Sequence, residues 1–160
     1  MPLPVKIEHR IGLQVPAEAI WPAIMDLETW PSWNPLYTKA GGKIAFDSRL
    51  TLEVSLPGDK PRLIRPIVTD WTPNEQIIWR LAMCGGLLRS TRYIEIERLT
   101  DDGESIIFSN GEIFEGPLTW LMDRKLQSRI KAGFRLFGDA VAAKAAAWRK
   151  AGSAPISDAP

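Results

Sequence analysis

From Leu118 to Trp148, apolar side chains recur at intervals of three and four: Leu118, Met122, Leu126, Ile130, Phe134, Phe137, Val141, Ala145 and Trp148. That period describes one face of an α-helix. The stripe runs through about 30 residues, or about 45 Å at 1.5 Å per residue. Gly116-Pro117 precedes it and Gly152 follows it, so the spacing predicts one long helix between these breakers. A stripe of that length must be buried. The rest of the chain therefore has to supply a surface long enough to cover it.

The preceding residues read as that surface. Ile7, His9, Ile11, Leu13 and Val15 alternate with Lys6, Glu8, Arg10 and Gln14, the period of a half-buried strand. Pro16 opens a short helix over Ala17–Met25, since proline is tolerated where an amide has no intrahelical partner. Residues 27–33 form a second short helix or turn interrupted by Pro31. Strands are then predicted over Tyr37–Phe46, Leu50–Leu56, Arg62–Trp71 (with an edge or bulge at Pro66), Gln76–Met83, Arg89–Leu99 and Glu104–Phe114. The last two pair across Asp101-Asp102-Gly103, a strong hairpin signal. The expected fold is α+β, a helix-grip arrangement. A curved antiparallel sheet of about seven strands and two short helices close against the C-terminal helix and enclose an apolar cavity.

At 160 residues the chain has the length of one domain, expected over residues 1–152, with residues 153–160 as a disordered tail. Cys84 is the sole cysteine, which excludes an intramolecular disulfide and a multi-cysteine zinc site. Residues 1–6 lack the basic start and apolar run of a signal peptide, and no apolar run reaches membrane-spanning length. A cytoplasmic protein is the resulting expectation. Net charge is +1, which gives no pull toward nucleic acid. Its distribution is uneven: Arg124, Lys125, Arg129, Lys131, Arg135, Lys144, Arg149 and Lys150 face only Asp123 and Asp139 within residues 118–150. A solvated helix face accounts for this. An acidic partner, a second copy of the chain or an anionic membrane surface is the sharper reading.

Three strings carry a resemblance. Val15-Pro16-Ala17 through Ile20-Trp21 leads into Trp30-Pro31-Ser32-Trp33-Asn34-Pro35. Trp71-Thr72-Pro73-Asn74 precedes Ile77 and Trp79, and Ser109 to Gly116 ends in Glu112-Ile113-Phe114-Glu115-Gly116. Together with the element order they resemble the START/Bet v-type helix-grip superfamily (SRPBCC), and within it the bacterial polyketide cyclase/dehydrase-like branch. The resemblance spans about Lys6 to Lys150. Arg92 stands where many relatives carry His, and Asp47 replaces a common turn Gly, so at position 92 a fixed charge takes the place of a titratable ring.

Polar groups that could converge on the cavity are His9, Asn34, Tyr37, Arg92, Asn110 and Glu112. Four of them have a plainer reading. The lone His9 on an apolar face is most often a hydrogen-bonded core residue, and Asn34 caps the turn around it. Arg92 and Glu112 fall on neighbouring strands, where a cross-strand ion pair is ordinary. Turned inward, they would orient a ligand carboxylate or carbonyl, or Glu112 would act as a base with a raised pKa. Trp33, Trp79, Phe108, Phe114, Ile130, Phe134 and Phe137 would form apolar walls. No HExxH, CxxC, GxxxxGK[ST] or GxGxxG occurs, so neither a metal nor a cofactor is expected.

The leading expectation is binding of a small hydrophobic or aromatic ligand. The resemblance adds lipids, isoprenoids and polyketide-like aromatics as candidates. It also implies two alternatives: a cyclase, dehydratase or hydrolase with His9 or Glu112 as acid/base, and an interaction module like the chaperone-activator and antitoxin-like relatives.

Overall fold

The computed structural model describes residues 2–153. Strand β1 (Val5–Leu13) leads to α1 (Ala17–Met25), a 3-10 turn over Leu27–Thr29 and α2 (Trp30–Trp33). Seven strands follow: β2 (Tyr37–Gly41), β3 (Thr51–Val54), β4 (Arg62–Ile64), β5 (Ile67–Thr72), β6 (Gln76–Met83), β7 (Leu88–Arg98) and β8 (Ile106–Glu115). Helix α3 (Arg124–Ser153) ends the described chain. Residues 154–160, where most of the expected tail falls, lie outside the described residues.

The strands form two antiparallel sheets, β1-β8-β7-β6-β5 and β2-β3-β4, joined at one bridge between Arg49 and Ile67. There are eight strands rather than seven because Pro66 divides the expected Arg62–Trp71 strand into β4 and β5. Proline has no amide to donate, so the ladder breaks there; its carbonyl accepts instead from the Leu50 amide (2.9 Å). The expected Tyr37–Phe46 strand stops at Gly41, and Gly42 at φ +107° turns the chain. Asp47, at the position of the common turn glycine, has φ +62°. Aspartate is one of the few side chains that tolerates this left-handed backbone.

Register sets the inner face. Residues directly opposite in an antiparallel pair share a side, so the ladder His9–Asn110–Ile94 and the pair Glu112–Arg92 point the same way. By alternation the inner face comprises Ile7, His9, Ile11 and Leu13 of β1, even-numbered residues of β7 and β8, and odd-numbered residues of β6 from Ile77. On the outer face Tyr93 reaches across Gly111 to donate its hydroxyl to Glu8. A Cβ at Gly111 would sit 2.3 Å from that oxygen and 2.7 Å from the Ile7 carbonyl, so only glycine fits.

Helix α3 lies chiefly across β1 and β8. It begins at Arg124, six residues later than its stripe suggested. Leu118 and Met122 keep the helical spacing, but residues 119–121 form a 3-10 turn, and the Asp123 carboxylate accepts from the Leu126 amide (2.8 Å), capping the helix there. At the other end Gly152 does not stop the helix, which continues to Ser153. Ile130, Phe134, Phe137, Val141 and Ala145 are buried, whereas Trp148 is 45% exposed because the stripe outruns the sheet.

The WPSWN string is a core device. Trp30 is fully buried and its indole N–H is shared between the Ala23 (3.2 Å) and Ile24 (3.1 Å) carbonyls, tying α2 to the end of α1. Its ring lies 4.9 Å from Tyr37 and 5.5 Å from Phe137. Phe137 in turn meets Phe108 edge-on at 5.4 Å.

Candidate functional site

Between the inner sheet face, strands β2–β4 and the first half of α3 lies a cavity of about 220 Å³. Its deep end is set by Tyr37, Trp79, Arg92, Glu112 and Phe134. Toward the β6–β7 turn the walls become Met83, Leu88, Phe114, Met122 and Leu126. The lining is apolar except for Tyr37, Arg92 and Glu112 at depth and Arg62 on the β3–β4 side.

Arg92 is buried, and arginine stays protonated in proteins. Its guanidinium therefore needs a complete set of acceptors. It donates to the Tyr37 hydroxyl (3.3 Å), the Tyr93 and Gly111 carbonyls (both 3.1 Å) and Asn110 Oδ1 (2.9 Å). The Phe134 ring lies 4.1 Å from its Cζ, a cation–π contact that places negative ring density against the charge. Asn110 donates onward to the Phe134 carbonyl (3.1 Å), which anchors the network to α3.

Glu112 stands directly opposite Arg92 in register and faces inward with it. The expected cross-strand ion pair does not form: their charged atoms do not approach within 4.0 Å. The guanidinium is turned to neutral oxygens instead. Glu112 is enclosed by protein while keeping surface on the cavity, so burial pushes its carboxyl pKa up, opposed by Arg92 and a Ser90 hydrogen bond. Burial likewise raises the Tyr37 phenol, opposed by Arg92. The deep end thus gathers a fixed cation, a phenol and a carboxyl inclined to hold its proton.

The raised Glu112 pKa has a measurable consequence. A carboxyl that binds its proton more tightly when folded contributes stability below its unfolded value, near 4.5, and that contribution is lost as pH rises through the folded pKa. Urea unfolding of the unaltered protein from acid to neutral pH is expected to show this decline. Glu112→Gln, which cannot ionise, is expected to flatten it; an unchanged slope would assign the decline to another group.

Of the residues expected on the cavity, Tyr37, Trp79, Arg92, Glu112, Phe114, Ile130 and Phe134 line it. His9, Trp33, Phe108, Asn110 and Phe137 do not. Phe108 and Phe137 fill the aromatic cluster beneath the deep end, and Asn110 lies behind Arg92. Trp33 sits on the outer side of that cluster with Lys144 Nζ 5.4 Å from its ring centre. His9 faces inward but under α3, so close that a Cβ on Gly138 would lie 2.6 Å from its Nδ1. Among the described residues that nitrogen has no hydrogen-bond partner, and burial lowers the imidazole pKa, with Asp139 opposing and Arg135 and Lys131 adding to the effect. Asn34 accepts from the Leu36 amide (3.2 Å), which holds the turn. The walls contributed by Leu36, Val54, Leu56 and Ile64 were missed. For Val54 and Leu56 the alternation with Leu52 was the only signal, and it does not say which face meets empty space.

Among the described residues no cluster of three or more His, Cys, Asp or Glu could hold a metal ion, and no helix is long and apolar enough to cross a membrane.

An antiparallel sheet gripping a long C-terminal helix over an apolar cavity defines the helix-grip fold of the START/Bet v-type superfamily. The chain belongs to the family described as polyketide cyclase / dehydrase and lipid transport, whose model matches residues 4–146. A search of curated protein sequences gave no match. Among solved structures, the Zhui aromatase/cyclase from Streptomyces sp. R1128 superposes with a TM-score of 0.73 at 15% identity, covering 94% of this chain and 99% of its own. A START superfamily protein from Mycobacterium smegmatis gives 0.65 at 20% identity, covering 89% and 97%. Norcoclaurine synthase from Thalictrum flavum gives 0.65 at 12% identity, covering 92% and 97%. These likenesses show the shared fold. Family and fold together support hydrophobic-ligand binding or cyclase-type chemistry.

Proposed function

We propose that the protein binds a compact, largely apolar molecule with one oxygen-bearing end in the cavity between the sheets and α3. The observation that carries this reading is an apolar lining interrupted at depth by Arg92, Tyr37 and Glu112. Such convergence of a few polar groups in an apolar cleft is the usual form of a small-molecule site. A guanidinium beside a carboxyl whose pKa burial raises suits a carbonyl, phenolate or carboxylate oxygen. The size narrows the class. About 220 Å³ is below the roughly 300–1,000 Å³ of most ligand pockets, which favours a ring-sized aromatic or isoprenoid head over a whole lipid.

The test compares 2-naphthoic acid with naphthalene, following fluorescence of the protein as ligand is added. The acid is expected to bind about 10-fold or more tightly, the difference that one hydrogen bond to a charged group provides. Val54→Trp, which fills the cavity from β3, is expected to abolish binding of both. Equal affinity for the two probes, or binding that survives Val54→Trp, would refute this site.

A second reading is favoured by Glu112 alone. A carboxyl whose pKa is raised, placed beside a fixed cation, is equipped to move a proton to or from a bound carbonyl compound. Cyclase or dehydratase chemistry on an aromatic or polyketide-like substrate would then use Glu112 as acid/base and Arg92 to hold the oxygen. Turnover that persists in Glu112→Gln would remove that role.

A further inference from the structure

We infer that the end of the molecule built from the β6–β7 turn and the segment 116–123 is a docking surface for an anionic phospholipid bilayer. The inference rests on reading the cavity as a site for an apolar ligand and adds the place from which that ligand is exchanged.

Three large apolar side chains stand out from this end: Leu87 is 50% exposed, Trp120 71% and Leu121 42%. They belong to one tip. The Leu118 amide donates to the Leu87 carbonyl (3.2 Å), and Gly116 packs so closely that a Cβ there would lie 2.4 Å from the same oxygen. The tip also borders the cavity. Leu88 and Met122, each the immediate neighbour of an exposed member, line its outer end. An apolar molecule leaving between them would pass directly across Leu87, Trp120 and Leu121.

Charge identifies the occupant. Arg89, Arg124 and Lys125 are exposed around this tip, and Lys60 is exposed on the neighbouring β3–β4 turn. The carboxylates among them are Glu115, directly opposite Arg89 in the β7–β8 register, Asp123, which caps α3, and Glu8, which shares a groove with Arg124 and Lys6; Asp59 pairs with Arg62 at 3.5 Å. An exposed tryptophan and leucines flanked by lysine and arginine match the headgroup boundary of a bilayer. There the indole spans the apolar–polar transition, and cations meet phospholipid phosphates and anionic headgroups. Arg124 and Lys125 follow the apolar segment directly in the chain, and Arg89 lies two residues from Leu87.

The experiment is co-sedimentation of the full chain with vesicles of phosphatidylcholine, alone or mixed with phosphatidylglycerol. The mixed vesicles are expected to bind the protein, and added salt to weaken that binding. Arg124→Glu with Lys125→Glu is expected to reduce the partition coefficient by at least about 10-fold, from the attraction of each cation to an anionic surface. Trp120→Ser with Leu121→Ser is expected to reduce it by a similar factor, since both exposed side chains lose their apolar insertion. Naphthoate binding and the urea midpoint are expected to be unchanged in both pairs, because none of the four residues is part of the core. No vesicle binding, equal binding to neutral vesicles, or binding indifferent to the tip changes would overturn the inference. So would a self-associating protein that Trp120→Ser/Leu121→Ser converts to monomer without any vesicle partition. Loss of naphthoate binding in the unaltered protein would instead overturn the cavity reading and leave the docking result to stand on its own residues.

Discussion

Arg92→Met is expected to destabilise the fold by about 2–6 kcal/mol, from two buried acceptors left unpaired at about 1–3 kcal/mol each. The side chain is 3% exposed and makes four hydrogen bonds, so solvent screens little of the loss. Its removal strands Asn110 Oδ1 and the Tyr37 hydroxyl without their donor, and methionine fills volume without replacing either bond. Glu112 also loses the cation that opposes its raised pKa, so its carboxyl moves further up. The decline of stability with rising pH should therefore extend to higher pH in Arg92→Met than in the unaltered protein. Adding Glu112→Gln to Arg92→Met should remove that extension and recover part of the stability at neutral pH. Urea unfolding of the single and double variants across pH measures both effects. Additive losses with no change in pH profile would mean that the two groups do not interact.

Phe137→Ala is expected to cost about 3–5 kcal/mol by a different mechanism, the loss of a buried ring and the space it leaves. Phe137 has no exposed surface and meets Trp30, Trp33, Tyr37 and Phe108. Four aromatic neighbours cannot all collapse into the gap, because they are held by three separate elements, α2, β2 and β8. Trp148→Ala, on the same helical stripe, is expected to change the urea midpoint little, since Trp148 lies past the end of the sheet. A comparable loss at both positions would mean that α3 is buried along its full length, contrary to the structure.

These two residues mark how much could be read from the chain alone. Phe137 and Trp148 are indistinguishable by spacing, and only the length of the sheet beneath them separates a core residue from an exposed one. The start of α3 was nearly legible: an aspartate three residues before Leu126 is a capping signal, but the apolar spacing at Leu118 and Met122 masks it. The division of Arg62–Trp71 was legible in part, since Pro66 was expected to disturb the ladder, yet whether it bends one strand or makes two depends on the partner strand. The site was less legible than the fold. Period two places Phe108, Asn110, Glu112 and Phe114 on one side of β8, but Phe108 sits beneath Phe137 and Glu112 beneath open space. That difference arises from where α3 crosses the sheet.

By itself the sequence determined the elements and their faces, because helix and strand periods are local and act over a few residues: the β1 alternation, the β7–β8 hairpin across Asp101-Asp102-Gly103 and the α3 stripe. The tertiary structure decided which inward residues touch the cavity, and that Arg92 bonds to neutral oxygens rather than to Glu112. It also decided that Leu87 and Trp120, 33 positions apart in the chain, share one exposed tip. Each of these depends on the distance between segments remote in sequence. No local period encodes such distances; packing sets them.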